Sequence, residues 1–84
     1  MKFYIIQYVE DMLRKAKYEY DKQTNSWCAA VNELPGAYAQ ADTIEDVRSE
    51  LAEIIEEYIL VSLQEGHPLP GFKDFRKTVE VTHG

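Results

Sequence analysis

The stretch running from Asp42-Thr43-Ile44 to Gln64-Glu65-Gly66, DTIEDVRSELAEIIEEYILVSLQEG, decides how the chain folds. Ile44, Val47, Leu51, Ile54, Ile55, Tyr58, Val61 and Ser62 recur at steps of three and four residues, which places them on one face of a helix. Two capping pairs mark its start. Asp42 has Glu45 three residues on, and Thr43 has Asp46, so either side chain can accept from the first free amides. Gly66 suits the left-handed position past the last turn, and Pro68 prevents continuation. At ~1.5 Å per residue the helix is on the order of 33 Å long, enough to cover a small sheet. Its outer face carries Glu45, Asp46, Glu50, Glu53, Glu56 and Glu57, with Arg48 as the one base.

Working outward from this helix, the N-terminal residues 2–15 read as another. Ile5, Ile6, Val9, Met12, Leu13 and Ala16 follow helical spacing. Glu10 and Asp11 precede Arg14, Lys15 and Lys17, the favourable order for helical ion pairs. Phe3, Tyr4 and Tyr8 widen its apolar face. From Ala16 the period becomes two: Ala16, Tyr18 and Tyr20 alternate with Lys17, Glu19 and Asp21, as in a half-buried strand. A turn over residues 21–26, in which Asn25 suits positive φ, leads to a second strand from Trp27 to Val31. Ala29 and Ala30 leave room for a helix on the sheet. Leu34, Pro35 and Gly36 form the next break, with Pro35-Gly36 suited to a type II turn. Residues 37–40 read as a short third strand. Beyond Gly66 the Pro-rich segment is irregular, and residues 75–82 alternate again as an edge strand.

The expected architecture is α+β: an N-terminal helix, a three-stranded antiparallel sheet covered by one long helix, and a short C-terminal edge strand. A chain of 84 residues supports one domain, spanning residues 1–84. With 45% hydrophobic residues and ten aromatics, it is expected to fold and to self-associate, because its apolar surface exceeds what one small core needs.

The net charge of −6 is uneven. Between residues 23 and 72 Arg48 is the one base, whereas the ends carry Lys2, Arg14, Lys15, Lys17 and Lys22, then Lys73, Arg76 and Lys77. An acidic middle repels phosphate backbones and attracts a basic protein. One cysteine, Cys28, excludes an internal disulfide and fits a reducing cytoplasm. No apolar run approaches the ~20 residues that span a bilayer, and the N-terminus lacks a secretory pattern.

Five motifs in order carry a family resemblance: Tyr18-Glu19-Tyr20-Asp21, Ser26-Trp27-Cys28-Ala29, Glu33-Leu34-Pro35-Gly36, Ala41-Asp42-Thr43-Ile44-Glu45 and Glu65-Gly66-His67-Pro68-Leu69-Pro70. Over residues 16–71 the chain resembles the HicB-like antitoxin family. That resemblance implies a partly eroded ribonuclease H-like fold lacking the carboxylate site. It also implies a protein that binds and neutralises a HicA-like mRNA-cleaving toxin. Relatives often carry Gly where this chain has Ala41, and Cys where it has Ala37. Many continue into a helix-turn-helix or ribbon-helix-helix domain. These 84 residues leave no room for one, so direct DNA binding is not expected from this chain alone.

For binding such a partner, Glu45, Glu53, Glu56, Glu57, Trp27 and Tyr38 are the candidate contact residues. Leu34, Pro35, Gly36, Asp42, Thr43, Gly66 and Pro68 are read as structural. No catalytic residue, metal ligand or cofactor site is expected. His67 and His83 lie far apart in sequence without a ligand cluster, and Cys28 between Trp27 and Ala29 reads as an inert small hydrophobe. Ribonuclease H-type chemistry needs acids converging from several strands and a helix, and the expected strands offer Glu19 and Glu80. Two other readings remain open: a stand-alone oligomeric interaction protein with no toxin partner, and an RNA-binding ribonuclease H-like relative.

Overall fold

The computed structural model describes residues 2–70. Helix α1 (Lys2–Lys15) leads into a sheet of β1 (Lys17–Asp21), β2 (Ser26–Ala30) and β3 (Tyr38–Ala41), followed by helix α2 (Ile44–Glu65). The strands are antiparallel neighbours in chain order, β1-β2-β3. The α+β arrangement expected from the sequence is therefore present, with α2 laid across β3 and β2 and α1 packed beside α2. The expected edge strand over 75–82 lies outside the described residues.

Local chemistry sets each boundary. At the start of α2 the choice between Asp42 and Thr43 falls to Thr43, whose Oγ1 accepts from the Asp46 amide at 3.0 Å. At its end Gly66 is left-handed (φ 72°), and the His67 amide donates back to the Ser62 carbonyl at 2.9 Å, closing a Schellman turn. The β1–β2 turn is held by Asp21 Oδ1, which accepts from the Gln23 amide, and by Asn25 at φ 52°. In the β2–β3 loop the Ala37 amide donates to the Leu34 carbonyl at 2.9 Å across Pro35 and a left-handed Gly36 (φ 88°). This tight turn drives Leu34 fully into the core.

The core joins Tyr8, Val9, Met12 and Leu13 of α1 to Ala29, Val31, Leu34, Ala37 and Ala39 of the sheet and its loop, and to Val47, Leu51, Ile55 and Ile59 of α2. Burying each large aliphatic side chain contributes roughly 1.5–3 kcal/mol. Among the described residues, the hydroxyls of Tyr18 and Tyr8 tie α1 to the rest. Tyr18 donates to the Leu13 carbonyl, one of the helix-end acceptors left without an intrahelical donor, at 2.8 Å. Tyr8 donates to the Pro70 carbonyl at 2.6 Å.

Three sequence-based assignments are corrected. Val61 does not join the core stripe of α2; it is 43% exposed, and Ile59 is buried in its place. Because α2 is covered by the sheet on one side and by α1 on another, its buried stripe lies closer to Ile55 than the apolar pattern alone indicates. Ile6, expected on the buried face of α1, is 57% exposed. Of the two alanines expected beneath a helix, Ala29 is buried while Ala30, one residue on and therefore on the opposite sheet face, is not.

Candidate protein-interaction surface

Helical geometry sorts the carboxylates of α2 into two adjacent rows. Asp46, Glu50, Glu53 and Glu57 form one, and Glu45 and Glu56 form the other with Ser49 and Ala52 between them. All six carboxylates are exposed, and none forms an ion pair among the described residues. Arg48 is already engaged, with Nη2 3.3 Å from Oε2 of Glu10 on α1. Like charges three and four residues apart each destabilise a helix by roughly 0.2–0.5 kcal/mol, and those beyond the first turn gain nothing from the helix dipole. The first row, with its like pairs at 46/50, 50/53 and 53/57, therefore weakens the helix that carries it, whereas Glu45 and Glu56, eleven residues apart, do not oppose each other in this way.

The two rows border different features. Asp46, Glu50 and Glu53 line a shallow acidic depression with Asp42, at the junction of β3 and α2. Glu45 and Glu56 flank a groove of about 400 Å³ between the helices, with Ile5, Val9, Leu13 and Ala52 among its walls and Glu10 and Arg48 at its rim. Glu57 borders a third hollow with Tyr58, Val61 and His67. Among the described residues no group of three His, Cys, Asp or Glu side chains is placed to hold a metal ion. None of their helices is long and apolar enough to cross a membrane.

Trp27 and Tyr38 do not form one anchor. Register pairs Trp27 with Tyr20 and Ala41, on the face that packs against α2, where Trp27 is half-buried. Tyr20 meets it edge-on, with ring centroids 5.5 Å apart. Tyr38 pairs with Ala30 on the opposite face, which neither helix of the described residues covers, and is 53% exposed. There it heads a polar cluster. Its hydroxyl donates to Cys28 Sγ at 3.2 Å, and that bond is the main cause that raises its pKa. Gln40 Nε2 donates to Ser26 Oγ at 2.6 Å and to Thr24 Oγ1 at 3.2 Å. Cys28 is half-buried on this face, and its sulfur accepts the Tyr38 hydroxyl.

The acidic candidates Glu45, Glu53, Glu56 and Glu57 thus share one helix but serve three surface features, and the aromatic candidates split across the sheet. Sequence reasoning missed two elements. One is the groove, which needs the pairing of α1 with α2 to become visible. The other is an apolar patch past the acidic rows, where Leu60, Val61 and Leu63 are 57%, 43% and 55% exposed. Its signal was in the sequence, because residues 58–64 carry no charge.

Comparison with curated proteins finds no match. Among solved structures the chain is similar to TTHA0281 from Thermus thermophilus, with a TM-score of 0.71 and 23% sequence identity over 79% of this chain and 85% of that one. At that identity the likeness concerns the fold. The UPF0150-like family model matches residues 7–70, which takes in most of α1, the whole sheet, α2 and the Gly66–Pro70 segment. The chain belongs to the UPF0150-like family.

Proposed function

We propose that this chain is an antitoxin-type protein that binds a basic, HicA-like mRNA-cleaving toxin and neutralises it by occupying it. The observation that carries the reading is the double acidic row of α2, six solvent-facing carboxylates without ion pairs among the described residues, the longer row (Asp46, Glu50, Glu53, Glu57) being maintained at a cost to helix stability. The five ordered motifs that resemble HicB-like antitoxins add to it. A ribonuclease must attract RNA, so its cleft is positively charged, and an acidic rod competes for the same field. Opposite charge raises the encounter rate, towards ~10⁸ M⁻¹s⁻¹ at low salt. In this account no bond is made or broken by the chain, no cofactor takes part, and the pair acts in the cytoplasm.

Co-expression with the product of the adjacent gene tests the reading. Rescue of growth together with co-purification supports it. A neighbour that neither binds the chain nor is silenced by it sinks it.

A second reading, an interaction protein that assembles with itself and has no toxin, is favoured by the exposed Leu60, Val61 and Leu63. It separates from the first because it leaves a co-expressed ribonuclease fully active.

A further inference from the structure

The groove between α1 and α2 combines an apolar floor with an acidic rim. Ile5, Val9 and Leu13 form one wall, and the small side chains of Ser49 and Ala52 lower the other, so that a third helix could approach closely. Above them stand Glu10, Glu45 and Glu56 against the single guanidinium of Arg48, which Glu10 already holds at 3.3 Å. Ile6 projects from the α1 side, 57% exposed. The groove's volume of about 400 Å³ accommodates large side chains, and roughly 300–1,000 Å³ is the range of sites that enclose a ligand.

We infer that this groove receives a basic amphipathic helix of the partner protein, an inference that rests on the protein-binding reading above and gives it a location. Apolar side chains at helical spacing would fill the floor, and flanking lysines or arginines would meet Glu45, Glu56 and Glu10. Charge selects this occupant. An acidic or neutral helix would desolvate the carboxylates at the rim without supplying partners for them. In protein–protein recognition an amphipathic helix laid in an apolar groove is read through anchors on one face, and beneath such anchors this groove offers the half-buried Ile5 over the core side chains Val9 and Leu13.

The test uses the full chain, isotope-labelled, titrated at low salt with a synthetic peptide of about 18 residues, long enough to form a helix in water. One peptide carries Leu on one helical face and Lys on the other, and a control carries Glu for Lys. Amide shifts concentrated at Val9, Leu13, Ser49 and Ala52, with affinity at least about tenfold weaker for the Glu peptide, support the inference. Two variants sharpen it. Ser49→Trp fills the groove from an exposed position, and Ile6→Lys places a repelling charge at its rim; each should weaken the Lys peptide at least about tenfold while the thermal transition is retained. Shifts centred on the open sheet face or on Leu60–Leu63, or unchanged affinity in both variants, overturn it. So does sedimentation showing a dimer that Ser49→Trp converts to monomer, since a second copy would then be the occupant. The cognate toxin separates the two claims. If the unaltered chain and Ser49→Trp both neutralise it, the groove assignment fails and the antitoxin reading stands. If the unaltered chain does not neutralise it, the antitoxin reading fails and the peptide titration alone judges the groove.

Discussion

Tyr8 of α1 donates a 2.6 Å hydrogen bond to the carbonyl of Pro70, sixty-two residues further along the chain. The ring is fully buried, so one side chain fills the core and fastens the segment that follows α2. Burial is also the main reason its pKa is pushed up to about 12, with repulsion from the Tyr58 phenolate and from the carboxylates of Asp11 and Glu33 adding to it. Tyr8→Phe keeps the ring and removes the bond. The net loss should be about 1–2 kcal/mol, measured by denaturant unfolding, because the Pro70 acceptor loses its donor. Hydrogen exchange should rise first at the amides of His67 and Leu69.

The same residue sets an alkaline limit. A tyrosine that ionises near 10 when unfolded and near 12 when folded favours the native state as long as it is protonated. Its contribution is complete below about pH 10 and is lost as pH rises towards about 12. Unfolding followed across that window should show stability falling in the parent protein, with a shallower fall in Tyr8→Phe. Equal slopes would remove Tyr8 as the cause.

The β2–β3 loop separates packing from backbone conformation. Leu34 is fully buried, so Leu34→Ala should cost about 2–5 kcal/mol through lost burial and the cavity left behind. Gly36 has open space around it but a φ of 88°, so Gly36→Ala meets no neighbour and is strained only in its backbone. A smaller loss, about 1–2 kcal/mol, is expected there. Thermal or denaturant midpoints of the two variants should rank in that order.

Glu57→Lys sets stability against binding. It breaks the like-charge row and puts a lysine four residues after Glu53, the favourable orientation for a helical ion pair. The variant should be about 0.3–1 kcal/mol more stable than the parent. It should also bind the toxin more weakly, with a shallower dependence on salt. A variant that gains stability and binds as before would show that this row takes no part in recognition.

Leu60→Gln and Val61→Ser remove exposed apolar surface without touching the core. If the chain associates through this patch, both substitutions should shift its sedimentation towards the monomer while leaving the unfolding free energy of the monomer within about 0.5 kcal/mol. An unchanged assembly would place the self-association surface elsewhere.

Much of this molecule can be read from its sequence, for local reasons. A chain of residues at helical steps, a Thr cap, a Gly stop, an Asn that tolerates positive φ and a Pro-Gly turn each act within a few residues of themselves. What could not be read depends on contacts between distant elements. Ile59, Leu60 and Val61 are three consecutive apolar residues, so periodicity leaves the phase of the buried stripe ambiguous until α1 covers one side. Ile5 and Ile6 pose the same ambiguity on α1. Trp27 and Tyr38 fall on opposite faces because the loop through Leu34 fixes the phase of β3 against β2, which alternation within either strand does not reveal. The groove between the helices belongs to neither helix alone.

The most direct test of the central claim is a titration of the cognate toxin's ribonuclease activity with this purified chain. The account predicts that cleavage of RNA falls linearly and reaches zero at a fixed molar ratio of chain to toxin, while the chain alone leaves RNA intact with or without added divalent metal. Cleavage that persists at excess chain, or RNA degraded by the chain on its own, would contradict it.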